Sequence, residues 1–400
     1  MARESRQQTP DSADEHLKHG IDLFDKSDFK GAEAEYREAL RLNPDSSEAH
    51  RRLGNALRAQ KELKGAESEY REAIRLKPDE PFAHRSLGNV LREIGDLKNA
   101  EAEYREALRL KPEDAGAHAF LGYLLGEKND LSGAESEIRE AVRLSPNDYS
   151  FHFALGVVLE ARRDTKGAES EYREALRLKS DDWQTHSNLG ALLQDNHDLK
   201  GAEAEYRETV RLKPSDPGSH SNLGNALREE GDLKGAEAEY REALRLDPKY
   251  AIAHDNLGIL LETKEDLKGA EAEYREALRL DPKNAKAHYN LGTALGNDGD
   301  LKGAEAELRE AARLAPADAD IHHKLGSVLY LQGDTKDAIA ELRQAVQLAP
   351  NSAKIHLLLG LVLEGEADRT GAIAEYHKVL ALEPGNAKAR QRLDKLEGKQ

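Results

Sequence analysis

The sequence predicts an all-α solenoid of stacked helix pairs. Three observations carry that prediction. A histidine recurs at a step of 34 residues, from His16 to His356. Small residues accompany it at constant offsets. Each 34-residue unit holds two apolar stripes of helical spacing, separated by a turn and closed by proline. Eleven units follow without insertion or deletion over residues 13–386 (13–46, 47–80, 81–114, 115–148, 149–182, 183–216, 217–250, 251–284, 285–318, 319–352 and 353–386).

With positions numbered 1–34 in each repeat, the histidine is position 4. Position 8 is always glycine (Gly20 to Gly360) and position 20 always alanine (Ala32 to Ala372). Positions 4, 7, 8 and 11 form one stripe at i, i+3, i+4, i+7, which predicts a first amphipathic helix. Positions 17, 20, 24, 27 and 28 form a second, as in Leu233, Ala236, Tyr240, Ala243 and Leu244. Gly-Asp at positions 15 and 16, as in Gly231-Asp232, ends one helix and caps the next. Proline at position 32, replaced only at Ser180, stops the second helix. The glycine at 8 and alanine at 20 let the two helices approach closely. A lone pair cannot bury its stripe, so neighbours must stack and the ends need caps. Residues 387–400, with Ala389, Leu393 and Leu396 on one face, are expected to form a C-terminal capping helix; polar residues 1–12 are expected to be disordered.

The repeat text H-x-x-L-G-x-x-L…A-x-x-x-Y…P resembles the tetratricopeptide repeat signature W-x-x-L-G-x-x-Y…A-x-x-x-F…P in period and offsets. The departures are histidine for the aromatic at position 4 and mostly leucine at 11. The resemblance implies a right-handed superhelical solenoid of 11 helix-turn-helix repeats, whose concave wall, lined by first helices, receives polypeptide partners.

Composition narrows function. The net charge of -17, with both signs interspersed, argues against nucleic acid. No apolar run approaches the ~20 residues of a membrane-spanning helix. Cysteine is absent, which excludes thiolate chemistry and disulfides. No phosphate-binding, zinc-protease or EF-hand motif occurs. The expectation is therefore a non-enzymatic, cytoplasmic protein with no cofactor, no metal, no nucleic acid and no membrane partner. Histidines one repeat apart sit on packed helices ~8–10 Å apart, too far to share an ion.

Second helices are a nearly fixed text, GAEAEYREALRL, so selectivity belongs to the first helices, on positions 2, 5, 6, 9, 12 and 13, opposite the core stripe. Repeats two and three place Arg51, Asn55, Arg58, Arg85, Asn89 and Arg92 there, a set suited to an acidic peptide unless second-helix glutamates of the same repeats balance it. Repeats four and five are apolar, with Phe120, Tyr123, Phe153 and Val157. Repeats six to nine carry Asn188, Asn222, Asn256 and Asn290 at position 6. This row resembles the asparagine ladder in the repeat arm of O-GlcNAc transferases, which implies amides gripping the backbone of an extended peptide. An amide offers both a donor and an acceptor to a peptide unit. Asn225, Asn256 and Lys286 also fall on three offsets of the carboxylate clamp of heat-shock co-chaperones, but Ser221 and Asn290 stand where two cations are needed.

The reading is a scaffold that holds extended peptide segments in its groove. The alternatives are a self-associating solenoid, joined through apolar ends at Leu17, Ile21, Phe24, Leu357 and Leu361, and a regulatory subunit of a separate transferase. Two further expectations follow. Buried position-4 histidines should be neutral and make stability fall as pH drops. Replacing the four position-6 asparagines by alanine should leave folding intact.

Overall fold

Why each repeat becomes two helices is visible at its turns. In the structure, a computed structural model describing residues 12–398, position 15 adopts a left-handed conformation in every repeat. Four repeats use glycine there (Gly95, Gly231, Gly299, Gly333), and the others hold Ser27, Lys61, Asn129, Arg163, His197, Glu265 and Ala367 at φ of 59° to 66°. The next residue caps the second helix: Asp232 accepts from the Gly235 amide at 3.0 Å, and Asp28 from Gly31 at 2.9 Å. Ser12 and Glu15 form a reciprocal capping box at the chain's first helix, so Ser12 is ordered, contrary to the expectation for residues 1–12. Residues 1–11 lie outside the described residues, as do residues 399–400.

The chain divides into two compact units at Leu192/Leu193. Unit one contains α1 (Ala13–Asp25), α2 (Phe29–Leu42), α3 (Ser47–Ala59), α4 (Leu63–Leu76), α5 (Pro81–Ile94), α6 (Leu97–Leu110), α7 (Ala115–Glu127), α8 (Leu131–Leu144), α9 (Tyr149–Ala161) and α10 (Thr165–Leu178). The boundary falls within α11 (Trp183–Asp195). Unit two contains α12 (Leu199–Leu212), α13 (Pro217–Glu230), α14 (Leu233–Leu246), α15 (Ala251–Thr263), α16 (Leu267–Leu280), α17 (Ala285–Asp298), α18 (Leu301–Leu314), α19 (Ala319–Gln332), α20 (Thr335–Leu348), α21 (Ala353–Gly365), α22 (Arg369–Leu382) and α23 (Ala387–Glu397). No strand occurs among the described residues.

Within each pair the helices meet where the position-8 glycine faces position 24. A Cβ on Gly258 would stand 2.6 Å from the Tyr274 ring, and one on Gly292 2.8 Å from Leu308 Cγ. Only hydrogen fits there. The position-24 rings are sealed: Tyr70, Tyr104, Tyr240 and Tyr274 are fully buried. At the chain's end α23 packs on α22 and buries Ala389 and Leu393. Successive first helices touch one another, α3 with α5 and α5 with α7 in unit one, α13 with α15 and α15 with α17 in unit two. Among the described residues no two successive second helices approach as closely. In each unit the first helices therefore line the inner side of the stack.

The histidines correct the sequence reading. His50 Nδ1 lies 2.6 Å from a carboxylate oxygen of Glu69 on α4, and its Nε2 3.0 Å from the Pro44 carbonyl in the preceding turn. His84 repeats this with Glu103 at 2.7 Å and Pro78 at 2.9 Å. Where proline gives way to Ser180, His186 still uses the backbone carbonyl, at 3.1 Å. A carbonyl can only accept, so Nε2 carries a proton; the ionised carboxylate asks the same of Nδ1. His50 and His84 each tie their own second helix to the turn that enters their repeat. Glutamate hydrogen bonds, outweighing burial, raise the pKa of His50, His84, His118 and His254. The expected acid sensitivity from neutral buried histidines is thus reversed in sign, because the glutamate at position 23 was not paired with them.

Candidate functional site: the inner faces of the first helices

The inner face begins with the hydroxyl of the buried tyrosine at position 24. Burial raises Tyr70 and Tyr104 to about 12, so each keeps its proton and needs an acceptor. Repeats meet that need in two ways. Asn55, Asn89 and Asn225 at position 9 accept from Tyr70, Tyr104 and Tyr240 at 2.6, 2.8 and 2.7 Å. In four other repeats position 12 accepts: Glu160 from Tyr172 at 2.6 Å, Gln194 from Tyr206 at 3.2 Å, Glu262 from Tyr274 at 3.1 Å and Glu364 from Tyr376 at 2.7 Å. Where asparagine serves at position 9, position 12 is arginine: Arg58, Arg92 and Arg228. Repeats four and nine, with Ile138 and Leu308 at position 24, have Gly126 and Gly296 at position 12. The asparagines chosen at position 9 thus spend their carbonyl oxygens on the core.

The position-6 row is also more engaged than expected. Asn188 in unit one hydrogen-bonds the Tyr172 hydroxyl. In unit two Asn256 is 7% exposed and donates to Ser221 Oγ at 3.0 Å. Asn290 donates to Asp255 Oδ1 at 2.9 Å. Asn222 is half-buried, and its side-chain amide makes no hydrogen bond among the described residues. The expectation that these positions stand clear of packing is corrected. Asn256 and Asn290 link successive first helices, because positions 5 and 6 of neighbouring repeats abut. Asp255 itself is buried, and desolvation raises its pKa against the Asn290 bond and the Lys286 charge.

The arginine cluster of unit one is internally balanced. Arg58 Nε donates to Glu93 at 2.7 Å. Arg85 holds both oxygens of buried Asp114 at 2.6 and 2.8 Å, and Arg92 lies 3.6 Å from Glu127. Arg51, whose pKa burial lowers, sits 3.8 Å from Glu48. The balancing carboxylates lie on first helices and their caps, not on second helices. Lys286, by contrast, is exposed and unpaired among the described residues.

Three cavities open on this face. In unit one, about 290 Å³ is bordered by Phe24, Asn55, Arg58 and Glu93, and about 500 Å³ by Arg92, Tyr123, Phe153 and Val157. In unit two, about 430 Å³ is bordered by Lys286, Tyr289, Asn290 and Asp320. Among the described residues no cluster of three or more histidine, aspartate or glutamate side chains is placed to hold a metal. No described helix is long and apolar enough to cross a membrane.

Helix pairs in register, with a fixed outer text and a varied inner one, define a helical-repeat interaction scaffold. Tetratricopeptide repeat models match residues 17–81, 85–149 and 121–182, and again residues 285–318. A TPR repeat model matches residues 224–264, 263–299 and 326–365. The chain belongs to the tetratricopeptide repeat family. Among solved structures it is similar to YrrB, a TPR protein with an unusual peptide-binding site, at 24% identity and a TM-score of 0.42 over 47% of this chain and 96% of that one. It is also similar to Pseudomonas aeruginosa pilF (21% identity, TM-score 0.49, 53% of this chain and 97% of that one). Yeast Tom70 matches at 15% identity and a TM-score of 0.48, over 96% of this chain and 95% of that one. The comparison with curated proteins finds no match.

Proposed function

We propose that the chain holds extended polypeptide segments against the inner faces of its first helices, without catalysis. The observation that supports this most is the alignment of the cavities with the varied positions. The second helices repeat a nearly fixed text. The three cavities of about 290, 500 and 430 Å³ are bordered by the residues that change from repeat to repeat. Apolar room at Tyr123, Phe153 and Val157 suits a large side chain. The half-buried amide of Asn222 and the ammonium of Lys286 retain donors for a peptide carbonyl or carboxylate. The two alternatives rest on weaker ground: the apolar residues at both ends, Leu17, Ile21, Phe24, Leu357 and Leu361, are half-buried within their own stacks.

A displayed library of random 12-residue peptides, panned on the full chain, tests the proposal. Wild type should enrich a family of sequences. Phe153→Asp should lose those with a large apolar residue, while keeping the helical circular dichroism and melting temperature of a folded chain. No enrichment by wild type would overturn the proposal.

A further inference from the structure

We infer that Arg228 is a receptor for one carboxylate side chain of the bound peptide. This deepens the reading above and rests on it. Arginine occupies position 12 three times. Arg58 is satisfied by Glu93, at 2.7 Å from Nε and 2.5 Å from Nη2. Arg92 has Glu127 at 3.6 Å. In both cases the carboxylate belongs to position 13 of the next repeat. One repeat on from Arg228, that place holds Thr263, whose hydroxyl donates to the Ile259 carbonyl of its own helix at 2.9 Å.

Nothing else replaces the missing acceptor. The Nε of Arg228 is buried and has no hydrogen-bond partner among the described residues. The carboxylate within ion-pair reach is that of its sequence neighbour Glu229, at the limit of 4.0 Å. Glu262, at position 12 of the next repeat, is turned to the Tyr274 hydroxyl at 3.1 Å and to Asn297 at 3.4 Å. The Tyr240 hydroxyl meets the guanidinium, yet its own proton goes to Asn225 at 2.7 Å, so it offers one neutral acceptor to a group with five donors. A buried guanidinium N–H left without an acceptor is costly, and the partly exposed side chain leaves the guanidinium open to a charge-assisted bond from the groove.

The ligand chemistry follows from the surroundings. Glu229, Glu230 and Glu262 lie close in register, and the chain carries a net charge of -17. A doubly charged phosphate meets about twice the repulsion there that a singly charged carboxylate does. The guanidinium fork matches a carboxylate in shape as well as charge. An aspartate or glutamate of an extended segment is the partner that completes Arg228 in trans, as Glu93 and Glu127 complete Arg58 and Arg92 in cis.

Two variants test this in the full-length protein. Arg228→Gln removes the receptor. Thr263→Glu supplies the missing carboxylate from within the chain. Peptides from the random library are compared by fluorescence anisotropy in aspartate, asparagine and phosphoserine forms at the enriched position. Wild type should bind the aspartate form about ten- to hundredfold more tightly than the asparagine form. In both variants that preference should shrink to within about twofold, and Thr263→Glu should melt higher than wild type. If Arg228→Gln fails to fold, Thr263→Glu carries the test alone. Equal binding of the aspartate and asparagine forms by wild type, or an aspartate preference that survives in the variants, overturns the assignment and leaves the groove standing. A phosphoserine form bound more tightly than the aspartate form overturns it in favour of phosphate. A library from which wild type selects nothing overturns the groove and this inference together.

Discussion

In unit one the inner-face arginines reach carboxylates of their own chain, Arg58 to Glu93, Arg85 to Asp114 and Arg92 to Glu127. In unit two Arg228 occupies the same register as Arg58 and Arg92 and lacks that partner, and Lys286 stands exposed. Second helices keep a nearly constant text in both, and position 15 is left-handed in every repeat. The difference lies in single residues, glutamate or threonine at position 13, placed one repeat away from the cation they serve. A repeat fold thus decides availability between neighbours: whether a charge is structural or offered to a ligand depends on what the next repeat brings to it.

The largest effect that separates the units should come from Arg85. Its partner Asp114 is 5% exposed and also caps α7 by accepting from Ala117 at 3.1 Å. Arg85→Ala strands a buried carboxylate, and we expect a loss of about 2–3 kcal/mol, less than for a fully buried pair because the arginine is partly solvated. Arg228→Ala should cost less than about 1 kcal/mol, since it removes a cation without a matched acceptor. Urea denaturation of both variants measures the contrast. Equal costs would erase it.

The tyrosine acceptors should behave alike in both units and so act as a control. Asn89→Ala in unit one and Asn225→Ala in unit two each leave a buried hydroxyl unsatisfied. Each should cost about 1–2 kcal/mol. A unit-dependent cost would mean that the two stacks differ in packing and not only in charge. Within unit two, Asn256→Ala and Asn290→Ala should cost about 0.5–1.5 kcal/mol through their bonds to Ser221 and Asp255. Asn222→Ala should leave the urea midpoint unchanged and weaken peptide binding instead.

Much of this is legible in the sequence because the repeats serve as their own controls. The glycine at position 8 and tyrosine at 24 announce a contact that admits no Cβ, and helix limits follow from the aspartate and proline that flank them. The histidine junction was legible too: Glu35 to Glu375 recur at position 23 in all eleven repeats, as often as the histidines. It was missed because the glutamate sits on an exposed-looking second-helix text, between glutamates at positions 21 and 26 whose arginines four and three residues on draw the eye instead. The alternation of asparagine at 9 with glutamate or glutamine at 12 was likewise present in the residues. Reading it required knowing that the tyrosine hydroxyl ends between those two positions. The cross-repeat pairs Arg85–Asp114 and Asn256–Ser221 depend on how far one pair is displaced against the next, which no spacing within a repeat reveals.

The smallest effect per residue should come from pH, and it too should divide the units. His50, His84 and His118 in unit one and His254 in unit two have pKa values raised above the unfolded ~6.5, chiefly by their glutamate bonds. Secondary carboxylates such as Glu72 and Glu276 add to this. A raised folded pKa means the folded state binds more protons. The stabilisation is therefore complete below the unfolded value and is lost as pH climbs through the folded one. Within unit two His323 runs the other way: burial, with Lys354 beside it, lowers its pKa, so it favours the folded state as pH rises. Along α3 to α8 the raised histidines are His50, His84 and His118, whereas along α15 to α20 His254 is opposed by His323. Amide hydrogen exchange, corrected for its intrinsic pH dependence, should show opening free energies in α3 to α8 rising as pH is brought from 8 to 6.5. The change in α15 to α20 should be smaller. Glu69→Gln, Glu103→Gln and Glu137→Gln combined should flatten the response of α3 to α8. A unit one that loses protection over this range would show that its histidines are neutral when folded, and that the glutamate bonds do not hold a proton on the rings.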